Sequence, residues 1–93
     1  MKPERLPTPF EQRVYAVVHR IPKGHVRSYQ WVDKQLGNPH LGRAVGQALK
    51  RNRWPKIIPC HRVIRSDGSL GGYAWGQEKK KRLLHQERCN LFI

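Results

Sequence analysis

The chain has 93 residues, with nineteen Lys and Arg against six Asp and Glu, a formal net charge of +13 and a hydrophobic fraction of 38%. That is material for one domain with a modest core, expected to span residues 1–93, and no apolar run approaches the length of a membrane-spanning helix. The charge favours a polyanionic partner, with nucleic acid ahead of an anionic membrane, and a membrane role is not expected. The N-terminal MKPERLPTPF lacks the apolar stretch of a signal peptide. The expected location is therefore the cytoplasm, in association with the nucleoid, or a nucleus where there is one.

Thr8-Pro9-Phe10-Glu11 reads as a helix start. Thr8 caps, Pro9 suits the first helical position and Glu11 completes a capping box. Phe10, Val14, Val17, Val18 and Ile21 then recur at helical spacing, and Pro22-Lys23-Gly24 stops the helix. His25-Val26-Arg27 is short and extended. Ser28 caps a second helix from Tyr29 to Leu36, which ends at Gly37. A third helix is expected from about Pro39 to about Arg51. Its apolar stripe is Leu41, Val45, Ala48 and Leu49, and its basic face carries Arg43, Gln47, Lys50 and Arg51. Two helices joined by Gly-Asn-Pro, the second with a basic face, make a helix-turn-helix candidate. Trp31 and Trp54 read as packing residues.

Ile57 to Ile64 reads as mostly extended and carries Cys60, Ser66-Asp67-Gly68 as a turn, and Leu70-Gly71-Gly72-Tyr73 as a glycine-rich loop. A last helix is expected from about Gln77 to about Glu87, with Leu83 and Leu84 inward. Within it, Lys79-Lys80-Lys81 reads as a solvated charge run. The fold class is thus mainly α, or α+β: a winged-helix-like helix-turn-helix domain with a short strand or hairpin carrying the cysteine. Between Lys23 and Arg65, ten basic residues face only Asp33, a net of +9.

The two cysteines, Cys60 and Cys89, lie in no CxxC or zinc-type spacing, so no metal is expected. A disulfide between them is unlikely in a reducing compartment. In IIPCHRV, Cys60 sits beside His61 and Arg62. A thiol reacts as thiolate, which a positive field favours, and nucleophilic catalysis adds a base with a third group to orient it. In a strand Cys60 and His61 would point to opposite faces. Only a backbone turn, made plausible by Pro59, lets them cooperate. Any carboxylate for His61 must come from elsewhere, and the last helix offers Glu78 and Glu87. The alternative is a buried, inert cysteine.

The ordered set of short motifs resembles the O6-alkylguanine-DNA alkyltransferase family. The pieces are Gly24-His25-Val26 with Ser28-Tyr29-Gln30, Gly37-Asn38-Pro39, Arg43-Ala44-Val45-Gly46, Asn52, Pro59-Cys60-His61-Arg62-Val63, Gly71-Gly72-Tyr73, and Leu83-Leu84 with Glu87. The likeness runs from about Thr8 to about Glu87, and it is the order and spacing of the set that make it specific.

The resemblance implies that Cys60 accepts the alkyl group from O6-alkylguanine in DNA, once per molecule and with no cofactor. It implies His61 as base through a bridging water, Glu87 as its orienting group, and Tyr29 as donor to N3 of the leaving guanine. Carbonyls of Cys60 and Val63 would meet the guanine amino group, and Tyr73 and Ala74 would form the loop over the base. Asn52 would link the helix-turn-helix to the site. Arg43 would enter the duplex where the base is extruded, a filler that base flipping requires. The implied partner is double-stranded DNA, bound in the minor groove largely without sequence preference and by a monomer.

Three departures qualify the likeness. The N-terminal domain of larger relatives is not matched. Ala74 stands where some relatives have serine. Trp75 is bulky at the expected pocket lip, where it would narrow the pocket and slow reaction with free bases such as O6-benzylguanine. The family also holds non-catalytic alkyltransferase-like proteins of about this length, which lack the cysteine and flag lesions to nucleotide excision repair proteins. A lesion binder with a slow cysteine, and a winged-helix transcription factor with an inert one, are the alternatives.

Overall fold

The computed structural model describes residues 6–54, 56–73 and 75–88. Ala74 and Cys89 lie outside the described residues. Among the described residues, four helices, two very short strands and one 3-10 turn make up the regular structure: α1 Pro9–His19, β1 Arg27–Ser28, α2 Tyr29–Gln35, α3 Gly42–Lys50, the turn Cys60–Arg62, β2 Val63–Ile64 and α4 Gln77–Gln86. Among the described residues no helix is long and apolar enough to cross a membrane.

The α1 start is the capping box that the sequence spells. The Thr8 N–H donates to Glu11 Oε1 at 2.9 Å, and the Glu11 N–H donates to Thr8 Oγ1 at 3.1 Å. Val14, Val17 and Val18 are buried on one face of this helix, and Ile21 is buried just past its end. Ser28 caps α2 by accepting from the Trp31 N–H at 3.0 Å.

Helix α3 starts later than Pro39. Asn38 Oδ1 accepts from the His40 N–H at 2.9 Å, an Asx turn that competes with helix there. Leu41 occupies the cap position with no side-chain cap of its own. Asp33, buried in α2, accepts from the Leu41 backbone instead. The start of α3 is therefore set by a carboxylate eight residues back. Tyr15 locks the other end, donating from its hydroxyl to the Ala48 carbonyl at 2.7 Å.

The apolar faces of α1, α2 and α3 meet in one core with Cys60 and Val63, while Val26, Ile64 and Leu84 form a smaller cluster under α4. Trp31 packs partly buried against the main core, with the Arg27 guanidinium 5.6 Å from its ring centroid. Trp54 corrects the packing expectation, since it is 36% exposed.

The cysteine segment departs from the expected strand. Pro59 leads into a 3-10 turn over Cys60–Arg62, and only Val63–Ile64 is strand. The sheet is no hairpin: β1 pairs with β2 in parallel, Arg27 beside Val63 and Ser28 beside Ile64. A parallel pair needs a crossover, which α2 and α3 supply. This register ties the cysteine turn to the entry of the helix-turn-helix and sets Tyr29, the residue after β1, near Arg65, the residue after β2.

Candidate active site

Cys60 is 4% exposed. Its turn is closed by backbone bonds, with the Cys60 N–H donating to Ile58 O at 2.8 Å and the Arg62 N–H to Pro59 O at 2.9 Å. Asn52, buried just past α3, holds this turn from outside. Its Nδ2 donates to Ile58 O at 2.9 Å, its Oδ1 accepts from the Trp54 N–H at 2.9 Å, and its side chain also bonds Cys60. Burial pushes the thiol above its ordinary pKa; the Asn52 bond and the Lys80 charge only partly oppose this. The positive field expected to favour thiolate is present, and desolvation outweighs it.

His61 is buried beside Glu87, the cap residue of α4. Its Nε2 lies 3.0 Å from Glu87 Oε1. Arg62 grips the same carboxylate with a fork, Nε to Oε1 at 2.9 Å and Nη2 to Oε2 at 2.8 Å, while its Nη1 donates to Ile21 O at 2.8 Å. The Arg62 fork first, and His61 after it, hold the Glu87 carboxyl down at about 2. A carboxylate only accepts, so the proton of neutral His61 sits on Nε2. Nδ1 is then the basic nitrogen, and it has no hydrogen-bond partner among the described residues. Burial lowers the imidazole pKa, with Glu87 opposing, so His61 is neutral and able to take a proton. The pairing of Glu87 with His61 is the one the family resemblance implies; the Arg62 clamp is not legible in the sequence.

Lys80 is the residue that sequence reading placed wrongly. Assigned to a solvated run, it is 0% exposed. Its ammonium donates to the carbonyls of Val63 at 2.7 Å, Gly72 at 3.1 Å and Leu70. It thereby clips α4 to β2 and to the glycine-rich loop. Desolvation lowers its pKa to about 8. A signal was available: Lys80 lies one helical turn before the buried Leu84, on the inward stripe of α4. Leu83 is only half-buried. Of the two carbonyls expected to meet guanine, Cys60 O accepts from the Val63 N–H and Val63 O accepts from Lys80.

A cavity of about 500 Å³ opens beside Cys60, lined by Tyr29, Arg43, Gln47, Lys50, Arg65 and Tyr73 among others. Arg43, Gln47 and Lys50 are exposed along α3. Tyr29 is half-buried, and desolvation raises its pKa. Gly71, at φ +72°, backs onto it; a Cβ there would lie 3.3 Å from the Tyr29 hydroxyl. Burial first, then the Cys60 and Glu87 charges, push the Tyr73 phenol up to about 12. Its hydroxyl has no partner among the described residues.

The structure does not gather every expected residue here. His61 lines a separate cleft with Glu87, and Tyr73 borders both cavities. Arg51 turns away to pair with Glu11 Oε2 at 3.2 Å. Trp75 is not at the lip of the cysteine cavity. It lines a neighbouring cleft and touches the cavity wall through Tyr73, with ring centroids 5.3 Å apart.

The site thus joins a basic helix-turn-helix to a buried cysteine, with a neutral histidine and a clamped carboxylate behind it. Residues 9–89 match the family model described as 6-O-methylguanine DNA methyltransferase, DNA binding domain, and the chain belongs to that family. The constitutive methylated-DNA--protein-cysteine methyltransferase of Bacillus subtilis is 49% identical over 84 residues, covering 89% of this chain and 51% of that protein. The crystal structure of Mycobacterium tuberculosis OGT in complex with DNA matches at a TM-score of 0.81 and 43% identity, covering 87% of this chain and 50% of that one. S. pombe Atl1, solved with damaged DNA containing O6-carboxymethylguanine, matches at a TM-score of 0.75 and 34% identity, covering 84% and 74%. The chain spans about half or less of the length of the curated relatives it matches.

Proposed function

We propose that the protein repairs DNA by direct reversal, extruding O6-alkylguanine from the duplex and transferring the alkyl group irreversibly to Cys60. The observation that carries this reading is the placement of Cys60 at a cavity beneath α3, backed by the His61–Glu87–Arg62 chain. The raised thiol is protonated at neutral pH, so attack needs a base, and His61 Nδ1 takes the proton through a water. The sulfur forms a bond to the alkyl carbon as the carbon–O6 bond breaks. The electron pair goes to the guanine, and Tyr29 donates toward N3. Imidazolium forms beside a carboxylate already charged, which stabilises it. Asn52 fixes the Cys60 turn relative to α3, Val63 O meets the guanine amino group, and Tyr73 with Ala74 closes over the base. Arg43 fills the gap in the stack. Gln47 and Lys50 contact the strand, and Arg51 adds charge from the side. No cofactor takes part. The protein acts as a monomer, in the cytoplasm or a nucleus.

A second reading is supported by the raised thiol together with the likeness to S. pombe Atl1, of which the chain covers 74%. Here the protein binds the lesion with a slow cysteine and recruits nucleotide excision repair proteins. Intact-mass measurement separates the two. After incubation with a duplex carrying one O6-methylguanine, direct reversal gives one methyl on the Cys60 peptide and none on Cys60→Ala. Lesion-selective binding without added mass supports the second reading and refutes the first.

A further inference from the structure

Beside the cysteine cavity lies a second cleft of about 590 Å³ that the reaction does not use. Two indoles line it, Trp54 at 36% and Trp75 at 39% exposure. Lys50, Arg51 and Arg53 line it too, against one carboxylate, Glu11. Solvent-exposed indoles on a cationic wall are what a single-stranded nucleotide needs: a flat apolar face for the base and positive charge for its phosphate. An acidic peptide would use the cations and leave two costly exposed rings unexplained. The cleft also adjoins the cysteine cavity. Lys50 lines both, and the wall between them is the Tyr73–Trp75 ring pair.

We propose that this cleft is a second nucleotide site, which stacks an unpaired nucleobase of single-stranded DNA on Trp54 and Trp75 with its phosphate on the Lys50–Arg51–Arg53 edge. The inference rests on the nucleic-acid reading of the surface and not on transfer to Cys60. Because Lys50 lines both, a strand that leaves the cysteine cavity along it would reach the cleft, so an unpaired nucleotide beside the extruded one is the natural occupant.

The test uses the full chain, an undamaged fluorescent oligo-dT, and an abasic oligonucleotide of equal length. Trp54→Ala should weaken oligo-dT binding about tenfold or more, the loss of one stacked base. Trp54→Phe should recover most of that loss, which a merely unfolded variant cannot do. On the abasic strand the wild type and Trp54→Ala should bind alike. Arg53→Ala should lower the salt slope by about one. Equal oligo-dT affinity for wild type and Trp54→Ala overturns the proposal, as does an equal loss on the abasic strand. Tryptophan quenching by a polyglutamate peptide and not by oligo-dT would reassign the cleft to an acidic protein and likewise overturn it. Because undamaged DNA is used, failure of this test leaves methyl transfer to Cys60 untouched, and failure of transfer leaves this test readable.

Discussion

Replacing Lys80 with methionine removes a buried cation and three donors at once. The carbonyls of Val63, Leu70 and Gly72 are left without their bond to the ammonium. Stranding a buried acceptor costs about 1–3 kcal/mol, and of the three residues only Val63 is buried, so with part of the cost offset by the end of the charge's desolvation Lys80→Met is expected to lose about 2 kcal/mol at pH 7. The pH dependence is the sharper test. Lys80 falls from 10.5 to about 8 on folding. Between those values the unfolded chain binds the extra proton, so the wild type gains stability as pH rises from 8 to 10.5. The gain is about 3 kcal/mol at most, from about 1.4 kcal/mol per unit. The variant lacks that gain. Without the Lys80 charge its Cys60 thiol rises further, which costs it more as pH climbs. Urea unfolding at pH 7.5, 8.5, 9.5 and 10.5 should show the gap between the two proteins widening. A constant or narrowing gap would mean that Lys80 is not held as a desolvated cation. In single-turnover assays at pH 7.5 the variant should also transfer methyl more slowly.

Three other expectations follow from the same geometry. Glu87→Gln removes the charge that Arg62 and His61 share. Since the Glu87 carboxyl is depressed from 4.5 to about 2, its contribution is present above pH 4.5 and fades as pH falls toward 2. Discounted for partial solvent screening, the variant should lose about 1–2 kcal/mol at pH 7 and approach wild type in acid, measured by urea unfolding. Its methyl-transfer rate should fall about tenfold or more, because the imidazolium loses its counter-charge; an unchanged rate would remove His61 from the role of base. Gly71→Ala places a Cβ at φ +72° and 3.3 Å from the Tyr29 hydroxyl, and should cost about 1–2 kcal/mol in thermal unfolding while slowing transfer through a displaced Tyr29. Arg43→Ala, at an exposed position on α3, should leave stability within about 0.5 kcal/mol and slow transfer from duplex far more than from single-stranded substrate. Equal slowing on both would show that Arg43 does not act in extrusion.

What the sequence made legible follows the range of the interactions. The Thr8–Glu11 box spans three residues, and the α1 start fell where its letters put it. The start of α3 is fixed by Asp33 from another helix and by an Asx turn at Asn38, and a reading by apolar period runs through both. The cysteine segment shows the same limit. Its residues favour a strand, yet Asn52 and the parallel pairing with β1 bend it into a turn, and neither partner is local. Lys80 was hidden for a different reason: composition outvoted periodicity. Three lysines in a row look solvated, although the helical repeat that buries Leu84 also buries the middle lysine.

The charge of the chain shows why a site cannot be read from net composition. A net charge of +13 argues for Cys60 as thiolate, but Coulomb attraction from exposed cations is screened by water, while desolvation acts on the sulfur directly. Lys80 does act on the thiol, but its charge is spent on three carbonyls and weakened by its own burial. A protonated thiol is unreactive until a base removes its proton. His61, neutral because it is buried, and Glu87, ionised because Arg62 clamps it, would give the proposed transfer a base that is ready before substrate arrives. In the proposed transfer, thiol and imidazole open on different cavities with Tyr73 bordering both, so a water would have to carry the proton past that ring.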